Sequence, residues 1–281
     1  MSTERESLGA APSADDPEGV GGRAMLTRRI VLSAAGITLL AGCSARAVKL
    51  TATAHAKPAN TRQPRQSSGA GPADGSSGHG AGRPAKPGEP AFYVEDRTKS
   101  IALTIDDGPN AIYTPQVLRL LAKYHVTAMF SMIGIEVTAL PGVARDVAQA
   151  GHEIANHTWR HLDLGRLAAS AVISEMDRAT SAIQDATGVM PRRFRAPYGV
   201  WSPTVLRRCA ESGMMPVDWS VDPRDWARPG VSYIVDDIMR TTHPGSIILE
   251  HDGGGDRSET VAALKIVIPR LLDAGYHFVT P

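Results

Sequence analysis

From Ala91 to the C-terminus, short apolar runs alternate with longer segments whose apolar residues recur three and four positions apart. The apolar runs predict strands near 100–106, 126–132, 152–156, 193–196, 214–220, 246–250 and 276–280. The segments between them predict helices near 114–124, 141–150, 167–187, 203–212, 231–241 and 258–274. Val117, Leu118, Leu120 and Leu121 share the buried stripe of the first helix. Val172, Ile173, Met176, Ala179 and Ile183 do so in the long third one. Gly151, Gly188, Gly213 and Gly275 mark where helices stop. Strands that stay apolar instead of alternating are covered on both faces, as in a parallel sheet flanked by helices. About seven β/α alternations therefore predict an α/β fold, and their number favours a barrel over an open sheet.

The pattern is different upstream. Residues 1–24 are polar and rich in Gly, Ala, Asp and Glu, a composition that cannot bury a core. Arg28-Arg29 then precedes an apolar run from Ile30 to Ala41, closed by Gly42-Cys43. A basic start, a short apolar run and small residues at its end predict an export signal over 1–43. The arginine pair resembles a twin-arginine signal. Leu40-Ala41-Gly42-Cys43 resembles a lipobox, which makes Cys43 the candidate lipidation site and gives a lipid anchor on the outer face of the cell membrane. Cleavage after Ala54-His55-Ala56 is the alternative and gives a secreted protein. In residues 44–90, Gly, Pro, Ser and Ala make up 28 of 47 positions with no aromatic residue, which predicts a disordered tether. Its reach is roughly 35–40 Å as a flexible coil.

Charge follows the same division. The chain carries +1 overall, but 44–90 holds seven basic residues against two acidic ones, and 91–281 is left at −3. The tether is suited to anionic lipid or wall polymer, and solubility alone is the alternative reading of its charge. A slightly acidic body argues against nucleic acid as a partner. The two cysteines, Cys43 and Cys209, need no disulfide framework, and nothing in the chain demands more than a monomer.

The polar residues with chemical potential cluster just after predicted strands. They are Asp106 and Asp107, then His157 and His161, Arg195, Asp222 and Asp225, and finally His251 and Asp252. Side chains at the carboxyl ends of parallel strands converge on one face of a barrel. Two adjacent carboxylates raise each other's pKa unless a cation intervenes, so a metal or an arginine is expected beside Asp106-Asp107. Taken alone, Asp-Asp-Gly-Pro reads as a solvated turn, and His157-x3-His161 as two ordinary surface histidines. On a helix turn, however, two histidines four apart share a face and can ligate one metal. A carboxylate from Asp107 completes a two-His-one-carboxylate set that suits Zn2+, Fe2+, Co2+ or Ni2+.

Thr-Ile-Asp-Asp-Gly-Pro-Asn (104–110), His-Thr-Trp-Arg-His (157–161), Arg-Ala-Pro-Tyr-Gly (195–199), Asp-Pro-Arg-Asp-Trp (222–226) and Leu-Glu-His-Asp (249–252) occur in that order. Together they resemble the five motifs of the NodB-homology polysaccharide deacetylases, carbohydrate esterase family four, over about residues 98–281. Each motif alone is weak; the ordered set is specific. The resemblance implies a distorted (β/α)7 barrel, one divalent metal (Zn2+ first, with Co2+, Ni2+, Fe2+ or Mn2+ as alternatives), and removal of acetyl groups from a polysaccharide.

By the same resemblance Asp106 is the base and Asp107, His157 and His161 are the metal ligands. Arg195 holds the base ionised, and the backbone N–H of Tyr198 supports the oxyanion. His251 protonates the departing sugar nitrogen, with Asp225 as its carboxylate partner. Trp226 and Leu249 line the pocket for the acetyl methyl group. Ile105 stands where the family usually has Phe, and Glu250 adds an acid beside His251. Anchor, tether and motifs together give cell-wall peptidoglycan as the expected substrate. Soluble chito-oligosaccharide and O-acetylated xylan are the alternatives, as is a non-catalytic wall-glycan-binding module. An iron oxygenase could use the same triad, but the β/α alternation disfavours it.

Overall fold

A computed structural model describes residues 88–95 and 98–281. The expected export signal, the tether and Cys43 lie outside the described residues.

The organising element is β1 (Ser100–Gly108), buried along almost its whole length. It pairs in parallel with β2 (Met129–Met132) on one side and β6 (Ile247–His251) on the other. From β2 the sheet continues through β3 (Glu153–Asn156) and β4 (Arg193–Phe194) to β5 (Met215–Pro216). The short strand β7 (His277–Phe278) joins only the first two residues of β1. Between β5 and β6 there is no ladder, only bridges: Ala91 to Val217, Tyr93 to Ser246 and Val221 to Ile248. This seam is what distorts the barrel.

Strand alternation divides the core into two layers. Ala102, Met129, Ala155, Val217 and Ile247 fill the interior with Val94. Ile101, Leu103, Ile105, Phe130, Ile154 and Ile248 point outward. Six helices cover them: α1 (Thr114–Tyr124), α2 (Gly134–Ala139), α3 (Pro141–Gln149), α4 (Ala169–Thr187), α6 (Val231–Thr241) and α7 (Ser258–Asp273), while α5 (Pro203–Glu211) packs Val205 and Cys209 in a separate cluster with Phe194 of β4. Each fully buried Leu, Ile or Phe contributes about 1.5–3 kcal/mol. Local sequence sets the helix ends. Pro leads α1, α3 and α5; the Ser202 hydroxyl accepts the Val205 N–H at 3.3 Å; Gly188 stops α4 at φ 75°.

The predicted order of elements matches the observed one, with two corrections. The strands expected over 126–132, 193–196, 214–220 and 276–280 are shorter, because loop backbone takes over as soon as ladder partners run out. The short helix α2 was not anticipated. Its six residues fall between apolar Ile133 and Leu140 and offer too little periodicity to register. Among the described residues, no helix is long and apolar enough to cross a membrane.

Candidate active site

β1 delivers both of its terminal carboxylates to one place. In a regular strand Asp106 and Asp107 would face opposite sides. The register against β2 instead slips between Asp106 and Gly108, and Asp107 adopts φ 71°. The bulge turns Asp107 back toward the interior. As a result Asp106 Oδ2 lies 3.7 Å from His157 Nε2, and Asp107 Oδ1 lies 3.6 Å from it. The β6–α7 loop packs directly on this bulge. A Cβ at Gly253 would stand 1.9 Å from the Asp107 carbonyl oxygen, so only glycine fits there.

The two histidines are held by a loop, not by the predicted helix turn. Thr158 and His161 have φ 67° and 57°, a backbone no helix continues. The loop is tied down from several sides. Asn156 accepts the Thr158 N–H at 2.8 Å and donates to Met176 O and Thr180 Oγ1 on α4. The N–H groups of Gly134 and Ile135 donate to the carbonyls of Thr158 and Trp159, so α2 serves as a bracket. Buried Glu175 on α4 accepts from the Arg160 backbone N–H and from its guanidinium. Arg178 stacks 4.2 Å over the Trp159 ring. Sequence spacing therefore pointed to the right pair for the wrong local reason.

His157 Nδ1 sits 2.8 Å from the Arg195 carbonyl oxygen. A carbonyl only accepts, so Nδ1 carries the proton and Nε2 offers a lone pair. Asp107 Oδ1 is 3.3 Å from His161 Nε2. One ligand atom from each of Asp107, His157 and His161 lies within 4.8 Å of the others. Burial and the neighbouring His157 pull His161 down to about 4, so its imidazole is neutral at pH 7. Burial works against ionisation of Asp107, but in acid, where the imidazoles carry protons, the His157 contact and the charges of His161 and His251 outweigh it. Its carboxyl lies well below the usual range. Asp107 Oδ1 is buried with no hydrogen-bond partner. A carboxylate and lone pairs aimed at one point without a donor between them are costly, and a divalent cation satisfies all of them. The donor set fits a metal.

Asp106 is gripped from behind. Arg195 has no exposed surface, and its Nη1 donates to Asp106 Oδ1 at 2.9 Å and to Thr104 Oγ1 at 2.7 Å. Nη2 and Nε reach the Asp218 and Val217 carbonyls at 2.9 and 3.3 Å. The guanidinium is thus fixed by four acceptors, which leaves Asp106 Oδ2 facing the histidines.

On the other side of β1, Asp106 pairs in register with His251 of β6. The Asp225 carboxylate receives the His251 backbone N–H (2.9 Å), stands 2.7 Å from His251 Nδ1 and accepts the Thr260 hydroxyl at 2.6 Å. Burial alone would lower the His251 pKa, but the Asp225 charge and hydrogen bond outweigh it and lift it to about 9. Asp225 stays ionised, its burial offset chiefly by the His251 charge.

Tyr198 has φ 60°, is 43% exposed, and sets its ring edge-on to His161 at 4.7 Å. Leu249 is buried two residues before His251 and on the same face of β6. Trp226 is partly buried beside Asp225, with the exposed Arg224 guanidinium 5.1 Å over its ring. Asp222 accepts the Arg224 N–H at 2.9 Å, which bends the chain into the turn that carries Asp225.

The comparisons with known proteins agree with this geometry. Residues 93–217 match the family model described as polysaccharide deacetylase. A chitooligosaccharide deacetylase from Bradyrhizobium sp. (strain ANU 289) is 44% identical over 192 residues, covering 64% of this chain and 88% of that one. A peptidoglycan-N-acetylglucosamine deacetylase from Bacillus cereus is 42% identical over 204 residues, 68% of this chain and 92% of its own. The chain belongs to the polysaccharide deacetylase family. A solved relative, the Bc1960 peptidoglycan N-acetylglucosamine deacetylase, has a TM-score of 0.65 at 32% identity, covering 67% of this chain and 89% of that one.

Several supports of this polysaccharide deacetylase family member were missed in the sequence. Thr114 at the start of α1 donates to Asp252 Oδ2 at 2.5 Å, while the Asp252 N–H donates to the Asp106 carbonyl. Burial pushes the Asp252 carboxyl up to about 7. Arg257 bonds the Gly253 and Trp226 carbonyls and so ties the β6–α7 loop to the Asp225 turn. Asp252 is the last residue of the fifth motif and already stands among the candidates at the strand ends; only its partner was out of view. Thr114, Arg257, Glu175 and Thr260 carry no local signal. Cys209 is buried in α5, and burial pushes its thiol up to about 12, so it is inert.

Proposed function

We propose that this chain is a metal-dependent deacetylase of N-acetylated glycan, with cell-wall peptidoglycan as its substrate. The observation that carries the reading is the convergence of Asp107, His157 and His161 on one point, with Asp106 beside them and a cationic His251 across β1. The relatives are named as deacetylases of chitooligosaccharide and of peptidoglycan N-acetylglucosamine, which supports the acetyl amide as the reacting group.

Asp107, His157 and His161 would hold one divalent ion, Zn2+ by donor preference, and such an ion would polarise the acetyl carbonyl and lower the pKa of water toward neutrality. Asp106, held in place by Arg195, takes the proton of the attacking water on Oδ2. The Tyr198 backbone N–H donates to the developing oxyanion. His251, charged through Asp225, gives its proton to the sugar nitrogen as the C–N bond breaks. Trp226 and Leu249 enclose the acetyl methyl group. On this reading the chain works outside the membrane as a monomer, anchored through Cys43 or released. The support is the signal, lipobox and basic tether in the sequence.

The identity to chitooligosaccharide deacetylases favours one second reading, soluble chito-oligomers. Mass spectrometry of muropeptides and chito-oligomers after incubation with the purified chain separates the two. Acetate release in full after complete metal removal sinks the mechanism. Glycan retention without any acetate release identifies a binding module instead.

A further inference from the structure

Glu250 lies between Leu249 and His251 in β6, in register with Ile105 of β1. Ile105 and Ile248 belong to the helix-side core, so strand alternation turns Glu250 away from the barrel interior. The side chain is wholly buried, and neither carboxyl oxygen has a hydrogen bond of ordinary geometry. Its charged neighbours are Asp225 on the Asp225–Ala227 turn, Asp222 just before it, and Arg257 at the start of α7. His251 itself, the next residue, faces the interior. Arg257 directs Nε and Nη1 to the carbonyls of Gly253 and Trp226, and no hydrogen bond joins its guanidinium to Glu250. An ionised Glu250 would therefore face two carboxylates with no donor of its own, so the neutral acid is the stable form. Burial, reinforced by Asp225, raises the Glu250 carboxyl well above its ordinary value.

A neutral carboxylic acid has one proton to donate, and the acceptor beside it is Asp225. Asp225 already accepts from the His251 N–H, His251 Nδ1 and the Thr260 hydroxyl. A carboxylate has about four lone-pair sites, so one remains. We propose that Glu250 is a positioning residue that stays protonated and donates to this remaining site, limiting how tightly Asp225 holds the proton of His251. A donor on a carboxylate stabilises its charge and weakens its pull on other protons. His251 then becomes a stronger acid near neutral pH than Asp225 alone would allow. The catalytic consequence rests on the deacetylase reading; the protonation of Glu250 does not.

The test uses the zinc-loaded full chain with Glu250→Leu and Glu250→Gln. His251 is titrated by NMR of its ring protons, assigned against His251→Gln, alongside the pH dependence of acetate release. Glu250→Leu is expected to raise the proton affinity of His251 roughly three- to tenfold, moving the alkaline limb of the rate profile up by the same factor. Glu250→Gln keeps a donor and is expected to titrate with the wild type. Equal shifts in both variants, or an unmoved His251 in Glu250→Leu, overturn the proposal. If Glu250→Leu does not fold, Glu250→Met is read by the same criteria. If neither folds, Glu250→Gln decides alone, and a threefold or larger change in His251 affinity there overturns it. A chain that releases no acetate but shows the expected titrations refutes the deacetylase reading and leaves this inference standing.

Discussion

The pairing of His251 with Asp225 makes a sharp prediction for Asp225→Asn. The carboxylate is the main reason that His251 sits at about 9 although it is buried. With the charge removed, burial acts alone and His251 falls to or below its ordinary value of about 6.5. At pH 7.5 its protonated fraction then drops from nearly complete to about a tenth or less. The assay is kcat/KM for acetate release between pH 5 and 10. The alkaline limb near 9 in the wild type is expected near or below 6.5 in the variant, with little loss of metal. Stability gives a second readout with a fixed sign. A raised folded-state pKa contributes stability that is fully present below about 6.5 and lost as pH rises through about 9. The variant also leaves Thr260 and the His251 imidazole without an anionic partner, and breaking a buried pair costs about 3–5 kcal/mol. The stability gap between wild type and variant should therefore narrow as pH rises through about 9. An alkaline limb that stays near 9 in Asp225→Asn would falsify the assignment of His251 as the acid held by Asp225.

Three further outcomes are expected. Asp106→Asn should bind zinc as the wild type does in calorimetry yet lose at least about a hundredfold in turnover, because the water loses its base; near-normal turnover removes Asp106 from that role. Arg195→Met should cost about 3–5 kcal/mol in denaturant unfolding, since it strands Asp106 with no donor at Oδ1; a loss below about 1 kcal/mol contradicts the buried ion pair. Gly253→Ala places a methyl group 1.9 Å from the Asp107 carbonyl, so elemental analysis should find zinc lost or strongly reduced; full zinc occupancy would show that the loop can shift away.

Some of this was legible in the chain. The apolar runs and helical stripes are local properties, so strand and helix order could be read directly. The motif residues sit at strand ends, where polar side chains break an apolar pattern and stand out. Tertiary structure decided the rest. The carboxylates of Asp106 and Asp107 share one side only because β1 slips its register against β2. His157 and His161 converge through a loop bracketed by α2 and α4, although the spacing suggested a helix turn. Glu250 looked like a neighbour of His251 in sequence, yet it lies on the opposite face of β6, buried behind Asp225. Local periodicity is written into each segment by its own residues. Which carboxyl loses its proton, and which imidazole keeps one, depends on burial and on partners from 20 to more than 100 residues away, and only the folded chain brings those together.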